Sequence, residues 1–230
     1  MVPAMFKLMR IAAFAAVGVI AAAAAATEPA APAVLTQAVA TTQAAKADYA
    51  FDIDLQTSKQ NWRARFEPTS SPRLRLVQPR REDLGSDERR AFDRMARDME
   101  GVSWCASEEM REVANVRLLR EDATTATYAF QPTPESIRSE QARQFAPRLR
   151  GEFTMVKADN DFAGVRLFTP EAFSPLPLVR VDAFALNITC QTAPNGRRYA
   201  AEAVTELRGS AFGQDFNERS VQRARNLTTP

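Results

Sequence analysis

Strict two-residue alternation, repeated along most of the chain, constrains its fold more than any other feature. Tyr49, Phe51, Ile53 and Leu55 alternate with Ala50, Asp52 and Asp54. Trp62, Ala64 and Phe66 alternate with Arg63, Arg65 and Glu67, and Leu74 and Leu76 with Arg73 and Arg75. Successive side chains of a strand point to opposite faces, so each segment has one apolar and one wet face. Three such strands in quick succession, joined by short polar turns, specify an antiparallel sheet.

The pattern continues after two interruptions. Val113–Arg120 and Thr124–Gln131 form a hairpin around Glu121-Asp122. Phe153 and Met155 mark one later strand, and Val165 and Leu167 the next. A long strand spans Leu178 to Gln191. Its phase slips near Asp182-Ala183, which predicts a bulge or a sharp bend. Asn195-Gly196 is the strongest hairpin signal. It feeds the row Tyr199, Ala201, Ala203, Thr205 and Leu207, and a last strand covers 211–222. The interruptions have helical spacing. Ser86-Asp87-Glu88 starts one helix, whose stripe is Phe92, Met95, Ala96 and Met99 and whose stop is Gly101. A second helix is expected over 134–146, with Pro134 in its first turn and Ile137, Ala142 and Phe145 as its stripe.

Residues 1–26 read as a secretory signal peptide. Lys7 and Arg10 precede an apolar run from Ile11 to Ala26, which ends in the small residues a signal peptidase accepts. That places the mature chain in the periplasm, a setting also suggested by a composition with 26 Arg and four Lys. Residues 27–46, rich in Ala, Pro, Thr and Gln, read as a flexible linker, and 223–230 as a loose tail. The leader carries two basic residues and no acid, so the formal charge of +2 vanishes with it. Nucleic acid is therefore not an expected partner. The two cysteines, Cys105 and Cys190, are expected to form a structural disulfide in an oxidising compartment.

The absence of His from the sequence excludes Ser-His-Asp and Cys-His catalysis and most catalytic zinc sites. No Gly-rich phosphate loop is present. Asp52/Asp54, Glu108-Glu109 and Glu121-Asp122 fall on wet faces or in turns and read as solvated carboxylates. No catalytic residue, metal or cofactor is expected, and the chain is read as a non-enzymatic monomer.

From Leu149 to Val221 the order of elements is distinctive. A short Gly-x-Phe strand (Gly151, Phe153) is followed by the run from Val165 to Leu186, the Asn-Gly hairpin and a long amphipathic strand. This order resembles the LolA/LolB-like carriers and receptors of bacterial outer-membrane lipoproteins, a superfamily that includes RseB-type envelope sensors. The resemblance implies a curved, incomplete barrel whose concave apolar side is covered by inserted helices. No residue here is matched to the carrier's lid arginine or the receptor's loop leucine.

Pattern and resemblance together predict a mainly β (α+β) domain over 47–222. It would be a curved antiparallel half-barrel of about ten strands, with two inserted helices on its concave side. The expected cavity lining is Phe92, Met95 and Met99 from the helix, with Phe153, Met155, Phe184, Leu186, Tyr199, Ala201 and Ala203 from the sheet. Its ligand would be apolar, a lipid or lipoprotein acyl chain. The alternative is a protein-interaction or envelope-sensing module with a packed interior.

Overall fold

In the computed structural model, residues 33–230 are described; the expected signal peptide, and residues 27–32, lie outside them. The elements in chain order are α1 (Ala33–Ala44), β1 (Ala50–Gln56), β2 (Asn61–Phe66), β3 (Leu74–Gln78), α2 (Ser86–Asp98), β4 (Ala114–Glu121) and β5 (Thr125–Gln131). There follow α3 (Glu140–Arg143), β6 (Arg150–Val156), β7 (Asp161–Phe168), β8 (Phe173–Leu176), β9 (Val179–Thr192), β10 (Arg198–Ala211) and β11 (Gln214–Thr228). All the strands join one 11-stranded sheet in the order β3-β2-β1-β11-β10-β9-β7-β6-β5-β4, with β8 also paired to β9. Every pairing is antiparallel and β3 and β4 remain edges, so the sheet is an open half-barrel.

The last strand holds the sheet together. β11 pairs with β10 over Gln214–Arg223 and with β1 over Val221–Thr228. Residues 223–228, expected to be a tail, are therefore the join between the first and last strands of the chain. Ala224 is buried in that join and Leu227 packs against the same core. The bulge expected near Asp182 is present, where the β9–β10 register slips between Ala183 and Val181. A short strand, β8, was not expected.

The linker expectation is also corrected. Residues 33–44 form α1, and Leu35, Ala38, Val39 and Thr42 are fully buried. Their spacing places them on one helical face. That face packs with Met110, Val113, Phe153, Met155, Phe162 and Val165. Twelve residues are too few to hold a helix alone in water, so docking stabilises α1. Arg197 supplies the polar part of the docking. Its guanidinium donates to Thr42 Oγ1 at 3.1 Å and to the Ala38 carbonyl at 3.5 Å, and pairs with Asp161 at 3.0 Å. Asn195 adds a bond from Nδ2 to the Ala45 carbonyl at 2.7 Å.

α2 forms as expected. It ends at Asp98, short of Gly101, with Met99 as C-cap. Gly85 precedes it and donates its N–H to the Glu88 carboxylate at 2.9 Å. The helix expected over 134–146 is replaced by one turn of α3 and a 3-10 turn at Ala146–Arg148. Thr133 and Ser136 exchange side chain–backbone hydrogen bonds there, a local alternative to helix. The second long helix over the sheet is thus α1, at the other end of the domain.

The interior divides into two lobes. The first holds Tyr49, Phe51, Ile53, Trp62, Phe66 and Leu74 beneath α2, with Phe92 edge-on to Trp62 at 5.8 Å. The second holds the α1 face over Phe130, Phe153, Met155 and Phe162, with Phe153 and Phe162 stacked at 4.8 Å. At the seam between them, the extended segment around Trp104 pairs with the start of β10. Cys105 N–H donates to the Arg198 carbonyl at 3.1 Å, and Ala200 N–H to the Ser103 carbonyl at 2.8 Å. Cys105 and Cys190 are bonded, with Cα atoms 6.3 Å apart.

Two stability predictions follow from these ties. The disulfide closes a loop with a sequence separation of 85, so Cys105→Ala should cost about 2–5 kcal/mol in urea denaturation under oxidising conditions. An unchanged midpoint would show that the bridge contributes nothing. Arg197→Met leaves Asp161 buried without its ion partner and should cost about 3–5 kcal/mol. Adding Asp161→Asn should recover part of that loss. If the single variant is as stable as the parent, α1 does not depend on the Arg197 contact.

Candidate functional site

A hollow of about 790 Å³ opens at the seam, where two stretches of chain meet beside Arg138. The end of α1 and the lead into β1 contribute Gln43, Lys46, Asp48 and Tyr49. The end of α2 contributes Met95, Asp98 and Met99. The segment that continues through the seam contributes residues 100–104 and 107–109, and Arg138 closes one side. Its apolar lining comes from the helix stripe and the seam segment, set among a larger number of polar and charged side chains. Met95, Met99 and Val102 are partly buried against the first lobe, and Tyr49 and Trp104 pack edge to face at 6.2 Å. Its rim is polar.

The electrostatics of the rim follow from its partners. Arg138 donates Nε and Nη2 to the two carboxylate oxygens of Glu109. Burial pushes the Glu109 carboxyl up, but hydrogen bonds from Arg138 and Ser107 outweigh it and hold the group at about 2. The same contact raises the Arg138 pKa. Glu108 pairs with Arg111 at 2.7 Å. Among the described residues, no group of three or more His, Cys, Asp or Glu is placed to hold a metal ion.

The expected lining residues are divided among three places. Met95 and Met99 line the hollow. Phe92, Tyr199 and Ala201 are buried in the first lobe beside it. Phe153 and Met155 are buried in the second lobe beneath α1, so they line no open cavity. Phe184, Leu186 and Ala203 are half-buried on β9 and β10, in register with Leu207, Thr205 and Ile188 respectively. A single cavity running along the concave face is therefore replaced by a cleft at one end of it. The small residue Ala201 is itself buried, and the β9–β10 register slips by one there. Ala200 packs with the second lobe, while Tyr199 and Ala201 pack with the first.

Of the carboxylates expected to be solvated, Glu109 is instead half-buried behind Arg138, and Asp52, Asp54 and Asp122 are held by polar partners. Asp52 accepts hydrogen bonds from Asn226 and Arg65, and the Asn226 bond leads in holding its pKa below the usual range. Asp54 pairs with Arg63 and Arg225. Asp122 caps its turn by accepting the N–H groups of Thr124 and Thr125, each at 2.7 Å, which holds its carboxyl well below the usual range. Sequence reasoning missed Asp48, Asp98, Glu100 and Trp104 as cleft residues. Their only signal was proximity in sequence to the end of a helix or the start of a strand.

No protein-family model, no curated protein and no solved structure matches this chain.

The Glu109 geometry fixes a pH dependence. Its folded value of about 2 lies below the ordinary 4.5. The stability it contributes is fully present above about 4.5 and is lost as pH falls toward 2. Glu109→Gln should therefore flatten the acid decline of the unfolding midpoint within that window. An unchanged acid slope in the variant would contradict the assignment.

Proposed function

We propose that this chain is a non-catalytic, exported binding protein that holds the apolar part of a lipid-like ligand in the seam cleft. One observation carries the reading. The cleft measures about 790 Å³, within the roughly 300–1,000 Å³ of small-molecule sites, and its lining brings Met95, Met99, Val102 and Trp104 together with charged side chains. Met95 and Met99 suit such a lining, because an unbranched thioether adapts to ligands of differing shape. The disulfide is consistent with an oxidising, extracytoplasmic compartment. The absence of His removes the commonest general base, in keeping with binding without catalysis. A relationship to the LolA/LolB-like carriers belongs to the same proposal and rests on element order. Here α1 fills the second lobe, so the ligand would enter at the seam and not along the whole concave face.

A second reading has its own support. Leu178 and Phe212 are 74% and 75% exposed, in adjacent turns joined by the Phe212 N–H to Leu178 carbonyl bond at 2.8 Å. Both sit at positive φ, 64° and 53°. A large apolar residue in that conformation is strained, and its exposure gives fold stability nothing in return. Such a tip suits docking to another protein, as an interaction or envelope-sensing module would require.

Displacement of an uncharged fluorescent acyl-chain probe from delipidated protein tests the first reading. Saturable binding of one probe per chain is expected, and Met99→Asp should weaken it about tenfold or more by placing a charge among the apolar lining residues. No saturable signal, together with no co-purified lipid in native mass spectrometry, would overturn it in favour of the interaction module.

A further inference from the structure

We infer that the seam cleft selects a ligand whose apolar chain ends in a positive charge, an alkylammonium type of amphiphile. The inference rests on the cleft being the binding site. Two helices terminate on it, α1 at Ala44 and α2 at Asp98, and residues from the last turn of each line its wall. Each therefore turns the negative end of its dipole toward the same hollow. Cations stabilise a helix C-terminus, yet α1 has no basic residue of its own in its last turn, and the Arg197 guanidinium that reaches Thr42 is paired with Asp161. α2 has Arg97 there, but the residues it sends into the cleft are Asp98 and, just beyond, Glu100. Both are exposed, so neither is placed there by packing. Helix stability alone would favour the opposite sign.

Asp48 adds a third carboxylate from the lead into β1. Among the described residues, Asp48, Asp98 and Glu100 form no ion pair within 4.0 Å. Of the two cations in the wall, Arg138 is held by both oxygens of Glu109, with Glu100 also acting on its charge, and the other is Lys46. The wall thus carries more negative than positive charge, reinforced by two helix ends. Met95, Met99 and Val102 line the same hollow and pack against the first lobe. A ligand that meets both groups must be cationic at one end and apolar at the other. A neutral chain would leave the rim charges facing one another, and an anionic one would add to their repulsion.

Trp104 lines the cleft, whereas Trp62 is buried against Phe92, so tryptophan emission reports on occupancy. Dodecylammonium, dodecyl maltoside and dodecyl sulfate, each below its micelle concentration, form the test series. In the parent protein, dodecylammonium should bind about tenfold more tightly than the maltoside, with sulfate weakest, and added salt should reduce the difference. Asp98→Asn with Glu100→Gln, both at exposed positions, should cut the ratio of dodecylammonium to maltoside affinity severalfold, Asp48 keeping the remainder. Equal or tighter binding of the maltoside or the sulfate by the parent would overturn the inference, while leaving the cleft as a site for an apolar chain. A preference undiminished in the double variant would overturn it as well. If titration calorimetry agrees that none of the three binds saturably, the binding-cleft reading itself fails.

Discussion

The short extended segment from Ser103 to Cys105 is where the two halves of the molecule are fastened. Alternation along it sends Trp104 into the lobe beneath α2 and Cys105 into the lobe beneath α1. Two backbone hydrogen bonds join it to the start of β10, and the Cys105–Cys190 bond ties it to the end of β9. At that point β11 has already left β10 for β1, since their pairing stops at Glu202 and Arg223. The segment therefore satisfies β10 backbone groups that would otherwise lack a partner. One continuous sheet can in this way carry two separate cores, each too small to serve the whole domain.

The strands were legible because each has one wet face. Arg63, Arg65, Asp52 and Asp54 on that face make the period of two unmistakable, and they pair with one another across β1 and β2. α1 was hidden for the opposite reason. Leu35, Ala38, Val39 and Thr42 have helical spacing, but two of the four are Ala and Thr, so the apolar stripe barely stands out from its Ala-rich surroundings. The polar contacts that complete its docking come from Arg197 and Asn195, more than 140 residues away. The end of β11 was misread because Arg223 and Arg225 look like a solvated tail. Their neighbours Ala224 and Leu227 face the core, with Asn226 at positive φ between them.

Part of the candidate site was legible too. The spacing of Met95 and Met99 placed them on the inward face of α2, which is where they are. The cleft itself could not be read from any one segment, because two separate stretches and Arg138 form its walls. The same closure explains why Phe153 and Met155 lost their expected role. Once 33–44 is a helix with a buried face, the concave side of β6 and β7 is filled from within. The seam stays open, and there helix ends, carboxylates and methionine side chains coincide.

Amide hydrogen exchange at the seam tests this account most directly. If the Ser103–Cys105 tie joins the two lobes, the amides of Cys105 and Ala200 should exchange only through global unfolding, as slowly as central β9–β10 amides such as Ala203 and Thr205. Exchange of Cys105 and Ala200 at loop-like rates, while those central amides stay protected, would show that the lobes are held together without the seam.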